Sequence, residues 1–144
     1  MSVKITRAVG AVIYNPKIDS FFVAQRAKNK KAPLKWEFVG GKVEEGESLE
    51  QAVAREGLEE IGIPLVMAEV LAEITYDYGP KIGKFQVYFI KCQPFKIKPK
   101  PDPKVYKSCK WVKRKDLINL DWLEADKEFA KQLMTEIKYH SLGN

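Results

Sequence analysis

Glu56, Glu59 and Glu60 are the side chains of this sequence whose type and spacing point most directly to chemistry. On a helix they stand at i, i+3 and i+4, so three carboxylates leave one face within a single turn. Like charges held so close repel. That cost is offset where a hard divalent cation such as Mg²⁺, with Mn²⁺ as an alternative, takes them as oxygen ligands. Glu-Glu pairs on solvated helix faces are common, and Glu59-Glu60 alone would read as surface. The register argues otherwise: Gly41, Glu47, Arg55, Glu56, Glu59, Glu60 and Gly62 form one spaced series. Seven fixed identities at roughly one in fifteen each arise by chance about once in 10⁸ start positions.

Bringing these carboxylates onto one face requires a helix, and its local signals are present. Ser48 followed by Gln51 is a capping-box pattern, which predicts a start at Leu49. Gly62 is placed to end the helix in the left-handed conformation. Leu49, Val53, Gly57 and Ile61 form an i, i+4 row that can face a sheet, turning Glu56, Glu59 and Glu60 toward a cleft at its edge. Gly57 inside the helix costs about 1 kcal/mol against alanine, which points to close backbone packing against a sheet or to a tolerated loss of an apolar contact.

The series resembles the Nudix box, G-x5-E-x7-R-E-U-x-E-E-x-G-U with U aliphatic, over Gly41 to Ile63; the first U is Gly57. The resemblance implies an α/β fold of the Nudix type, an α/β/α sandwich around a central mixed β-sheet. It implies Mg²⁺ held by Glu56, Glu59, Glu60 and the Gly41 carbonyl, with Arg55 orienting the carboxylates and Glu47 assisting the metal and water network. The branch it is most similar to is the MutT type, in which an arginine ending the second strand contacts the nucleotide; here that is Arg26. Trp36-Glu-Phe-Val-Gly-Gly41 matches that branch's W/L-E-F-P-G-G stretch, with Val39 in place of proline. Gly40 and Gly41 then bring backbone close to metal and phosphate. Leu120-Asp-Trp-Leu-Glu-Ala-Asp126 resembles the segment before the last helix whose Asn or Asp reads the base edge, and Asp126 is the candidate; a plain helix cap is the other reading. Tyr78, at a strand end, is core packing or, by the same resemblance, lines the base pocket.

Many relatives carry a further glutamate five or six residues before the tryptophan that Trp111 matches. This chain has Val105-Tyr106 there. Asp102 and Glu56 remain as candidates for the general base that deprotonates water.

A length of 144 residues fits one domain, residues 1–144, with a proper core. No run of about eighteen apolar residues spans a bilayer, and Met1-Ser-Val-Lys-Ile-Thr-Arg lacks the apolar stretch of a secretory signal, so the expected location is cytoplasmic, with no membrane partner. Cys92 and Cys109 lack a C-x-x-C spacing and read as idle or buried thiols. The net charge of +6 is concentrated between Lys91 and Lys115, where ten Lys or Arg residues face one acid, Asp102. Prolines 94, 99, 101 and 103 break that run and no aromatic ladder is interleaved with it, so a solvated edge is favoured over a stable nucleic-acid surface. The oligomer is a monomer or a homodimer.

The remaining elements follow from pattern. Strands are expected over Val3–Tyr14 and Phe21–Gln25, joined by the turn at 15–20 as a hairpin, then over Leu65–Tyr78, Phe85–Cys92 and Lys107–Val112. Lys113–Ile118 reads as a turn of helix. Ala125–Tyr139 reads as a last amphipathic helix with Phe129, Leu133 and Ile137 in one row.

The function implied is hydrolysis of a nucleoside triphosphate, such as 8-oxo-dGTP or a cytosine triphosphate, to the monophosphate and pyrophosphate. Two alternatives stand beside it: hydrolysis of ADP-ribose, a dinucleoside polyphosphate or another conjugate, and a Nudix-fold module that binds nucleotide or RNA without cleaving it.

Overall fold

A computed structural model describes residues 4–135. The strands are β1 (Ile5–Val12), β2 (Tyr14–Asn15), β3 (Ser20–Arg26), β4 (Trp36–Glu37), β5 (Gly40–Lys42), β6 (Met67–Asp77), β7 (Lys84–Cys92) and β8 (Tyr106–Lys113). The helices are α1 (Leu49–Ile61) and α2 (Glu124–Leu133), with a short 3-10 helix at Arg114–Asn119. The last helix, expected over Ala125–Tyr139, ends at Leu133 with Met134 as its C-cap, and the expected Ile137 lies outside the described residues.

The expected mixed sheet has the order β5-β1-β7-β6, in which β1 runs parallel to β7 and the other pairs are antiparallel. Beside it stands a second, antiparallel sheet in which β3 pairs with β2, β4 and β8. The hairpin expected from the turn at 15–20 is therefore corrected. Only Tyr14 and Asn15 pair with β3, while β1 itself belongs to the mixed sheet. The chain changes sheets at Ile13, whose carbonyl accepts the Phe22 amide at 3.0 Å.

Alternation along the strands divides the core into two layers, since successive side chains point to opposite faces. Ala8, Val12, Phe21, Val23, Val87 and Phe89 face α2, packing on Ala125, Phe129 and Leu133. Val9, Ala11, Phe22, Ala24 and Ile90 face α1, packing on Ala52, Val53 and Ile61. The Phe89 and Phe129 rings stack at 4.3 Å between centroids, which ties α2 to the mixed sheet.

Helix α1 begins and ends where its signals place it. Ser48 accepts the Gln51 amide, the Gln51 side chain returns the bond to the Ser48 amide, and Gly62 takes φ 73°. Gly57 is buried, and a Cβ there would lie 2.4 Å from the Ile63 carbonyl oxygen and 2.5 Å from Leu65 Cγ. The close packing is thus against the chain leaving the helix, not against a sheet.

Candidate active site

Arg55 is the hub. Its Nε and Nη2 donate to the two oxygens of Glu47 at 2.7 and 2.9 Å, a fork that fits a carboxylate plane. Nη1 donates to Glu56 at 2.8 Å and to Glu59 at 3.3 Å, and Nη2 also reaches the Lys42 carbonyl at 2.9 Å. One guanidinium thereby joins the loop before α1, the middle of α1 and the end of β5. The pairing with Glu47 holds that carboxyl down to about 2 and raises Arg55 further above its ordinary value.

Glu56 is buried and its carboxylate lies directly on Gly41, where an added Cβ would meet Cδ at 2.7 Å. Gly40 is tighter still: a methyl group at its Cα would fall 1.8 Å from the Val9 carbonyl oxygen. Gly40 is therefore required by close approach of backbone, while at Gly41 a side chain would displace the Glu56 carboxylate. Burial raises the Glu56 carboxyl, against the pull of Arg55.

Glu60 points away from Arg55. Its Oε1 meets the Tyr106 hydroxyl at 3.0 Å, and the same hydroxyl lies 3.0 Å from Glu37 Oε2. Arg26 Nη1 donates to the other Glu37 oxygen at 2.9 Å, and Arg26 Nε donates to the Lys31 carbonyl. Burial, then Glu56 and Glu37, push the Glu60 carboxyl up to about 9. Burial and both carboxyl groups also keep the Tyr106 hydroxyl protonated, well above its ordinary value.

Asp126 is buried in the first turn of α2 and accepts the Phe38 amide at 2.9 Å through Oδ2. It is not the cap of α2; that position is Leu123, which makes no side-chain cap bond. Tyr78 sits next to it, its hydroxyl oxygen accepting the Ala125 amide at 2.9 Å and its ring tilted against Tyr76 at 4.7 Å. Tyr78 and Asp126 thus share the α2 side, whereas Glu56 and Glu60 share the α1 side, and residues 36–41 run between the two groups. Asp102, one candidate base, closes its own turn by accepting the Lys104 amide at 2.9 Å.

Among the described residues no three His, Cys, Asp or Glu side chains converge in the arrangement of a bound ion. The donor chemistry nonetheless fits a hard divalent cation: carboxylate oxygens of Glu56, Glu59 and Glu60 and the Gly41 carbonyl. The half-buried Glu60 carboxyl, pushed to about 9 by desolvation and its neighbours, marks a place short of positive charge. Glu59, with 56% of its side chain exposed, has the freedom to complete such a set. Two hollows of about 300 and 480 Å³ flank Trp111 instead of these carboxylates.

Glu37 and Tyr106 are members of the cluster to which the sequence pattern assigns no part. Glu37 lies inside the W-E-F-V-G-G stretch and Tyr106 at the position of the absent glutamate, and nothing local links two residues 69 apart.

Fold and site together define a class, an α/β protein with an acidic helix clamped by arginine beside a glycine strand. A family model described as the NUDIX domain matches residues 4–134, and the chain belongs to the Nudix family of hydrolases. An 8-oxo-dGTP diphosphatase of Haemophilus influenzae is 36% identical over 90 residues, 62% of this chain and 65% of that protein, so the match spans just under two thirds of the relative's length. An RNA pyrophosphohydrolase of a Nitratiruptor species is 32% identical over 124 residues, covering 72% of this chain and 73% of that protein. Among solved structures, a MutT protein from Methanosarcina mazei superposes with a TM-score of 0.83 at 24% identity over 96% of this chain and 99% of that one. A MutT Nudix hydrolase from Staphylococcus aureus gives 0.71 at 31% identity, covering 94% and 99%. Among the described residues no helix is long and apolar enough to cross a membrane.

Proposed function

We propose that this protein hydrolyses an oxidised or otherwise non-standard (d)NTP, such as 8-oxo-dGTP or a cytosine triphosphate, to the nucleoside monophosphate and pyrophosphate. The observation that carries the reading is the Arg55 hub, which holds Glu47, Glu56 and Glu59 together beside Gly41. Glu56, Glu59, Glu60 and the Gly41 carbonyl would hold a divalent cation, Mg²⁺ or Mn²⁺, which when bound neutralises phosphate charge. Arg55 keeps the carboxylates oriented and Glu47 keeps Arg55 in place. Of the two candidate bases Glu56 is the better, because its carboxylate lies on Gly41 with its pKa raised by burial, while Asp102 is engaged in its own turn. Tyr78 and Asp126 receive the base on the α2 side, Gly40 lets the phosphates approach, and Arg26 contacts the nucleotide from the end of β3.

A second reading is removal of pyrophosphate from a triphosphorylated RNA end. It is favoured by the similarity to an RNA pyrophosphohydrolase over 72% of this chain and by the basic segment between Lys91 and Lys115. One assay separates these readings. The protein is incubated with Mg²⁺ or Mn²⁺ and a panel of (d)NTPs, nucleotide conjugates and 5′-triphosphorylated RNA, with release of pyrophosphate or monophosphate followed. Turnover of (d)NTPs is the expected result. Turnover of RNA or of conjugates alone transfers the assignment to that substrate, and binding without release makes the chain a non-catalytic module.

A further inference from the structure

Tyr106 is 2% exposed, and its hydroxyl stands between two acidic side chains from different elements, Glu37 of β4 and Glu60 of α1. Two features put it there. Strand β8 carries a bulge against β3: Gln25 pairs with Ser108 but Arg26 pairs with Tyr106, so Lys107 is the extra residue. Because strand side chains alternate, that single insertion turns Tyr106 onto the face that Arg26 and Glu37 share. The loop before β8 is fixed in turn by the end of α1. The Lys100 amide donates to the Ile61 carbonyl at 2.8 Å and the Asp102 amide to the Glu60 carbonyl at 2.9 Å, satisfying carbonyls that a helix end leaves without partners.

We propose that Tyr106 is a positioning residue whose hydroxyl, giving its single proton to Glu60 while Arg26 offsets the charge of the competing Glu37, fixes the Glu60 carboxylate in the orientation that receives a divalent cation. The hydroxyl engages Oε1 of Glu60 and leaves Oε2 for the ion. Arg26 Nη1 holds Glu37 from its far side at 2.9 Å, so Glu37 cannot follow Tyr106 if the ring moves. Without the hydroxyl, Glu60 keeps its place on α1 but loses the contact that selects its rotamer. Partners of this kind behind a metal ligand typically change metal affinity by about 10- to 100-fold. The inference rests on Glu60 being a ligand, as proposed above.

The test is Mn²⁺ titration of the full chain followed by electron paramagnetic resonance, alongside turnover at varied Mn²⁺. Tyr106→Phe removes one oxygen and no carbon. It is expected to weaken Mn²⁺ binding about tenfold. The Mn²⁺ concentration for half-maximal turnover should rise by a similar factor, while kcat at saturating Mn²⁺ falls by less than about threefold. An unchanged Mn²⁺ dissociation constant with a lowered melting temperature means a purely structural tyrosine and overturns the proposal. If Tyr106→Phe does not fold, Glu37→Gln takes its place: the glutamine amide leaves the Tyr106 proton to Glu60, so Mn²⁺ binding is expected to stay within about threefold, and a loss of about tenfold or more overturns the proposal. Glu60→Gln separates the two levels. Lost Mn²⁺ binding there, with none lost in Tyr106→Phe, sinks only the tyrosine's role, whereas undiminished binding in Glu60→Gln removes Glu60 from the ligand set and the proposal with it.

Discussion

Arg55 bonds three carboxylates and one backbone carbonyl with a single planar group, a geometry lysine cannot reproduce. Glu56 is thereby held against Gly41, and Glu59 is reached by the same guanidinium at 3.3 Å. Replacing either by glutamine keeps the shape and removes the charge. Glu56→Gln and Glu59→Gln are each expected to lower kcat about 100-fold or more with little change in thermal melting, measured on the best nucleotide of the panel; near-normal turnover would remove the residue from the site. At this scale the sequence is most legible where the residues are close in the chain. Glu47, Arg55, Glu56 and Glu59 read as one unit and are bonded as one. Glu37 and Tyr106 escape such a reading because their contact depends on a bulge in β8 that no single residue type announces.

Helix α1 is legible in detail because its determinants are local: a capping box, a left-handed glycine and an apolar row. Gly57 is the position where local preference and packing disagree. Alanine favours the helix by about 1 kcal/mol, yet its Cβ would fall 2.5 Å from Leu65 Cγ and 2.4 Å from the Ile63 carbonyl oxygen. Gly57→Ala is accordingly expected to destabilise by about 1–3 kcal/mol in urea unfolding, and a stabilised variant would show that this contact is soft. The loop before α1 is tied to it by Glu47 and Arg55, which gives a pH signature. The Glu47 pKa falls from 4.5 to about 2 on folding, so the contribution of this pair is complete above about pH 4.5 and is lost as the pH drops toward 2. Glu47→Gln should flatten the stability profile between those values, seen by acid titration of the melting temperature. The hairpin at 15–20 shows the limit of local signals at this same scale. Its turn chemistry is genuine, but a turn fixes only the residues next to it, and just two positions before it pair with β3 while β1 belongs to the other sheet.

For the molecule as a whole, the resemblance implies an α/β/α sandwich around one mixed sheet, and the pattern along the chain does not tell that the strands fall into two sheets. That division is set by which strands lie side by side, and the partners of β1 are distant: Gly41 pairs with Val9, and Lys84 to Lys91 pair with Ile5 to Val12. A strand's own residues carry no record of such neighbours. A fragment comprising residues 1–80 lacks all of β7, which separates β1 from β6 in the mixed sheet. It is expected to show no cooperative thermal transition by circular dichroism, and a sharp transition would mean that α1 and the N-terminal strands form an independent unit.

The parallel pairing of β1 with β7 also sets a schedule for the newborn polypeptide. At bacterial or eukaryotic translation speeds, the interval between making Ile5 and Lys84 is about 4–16 s. Through that interval Val9, Ala11 and Val12 have no β7 strand to pair beside, and their apolar side chains stay uncovered on that edge.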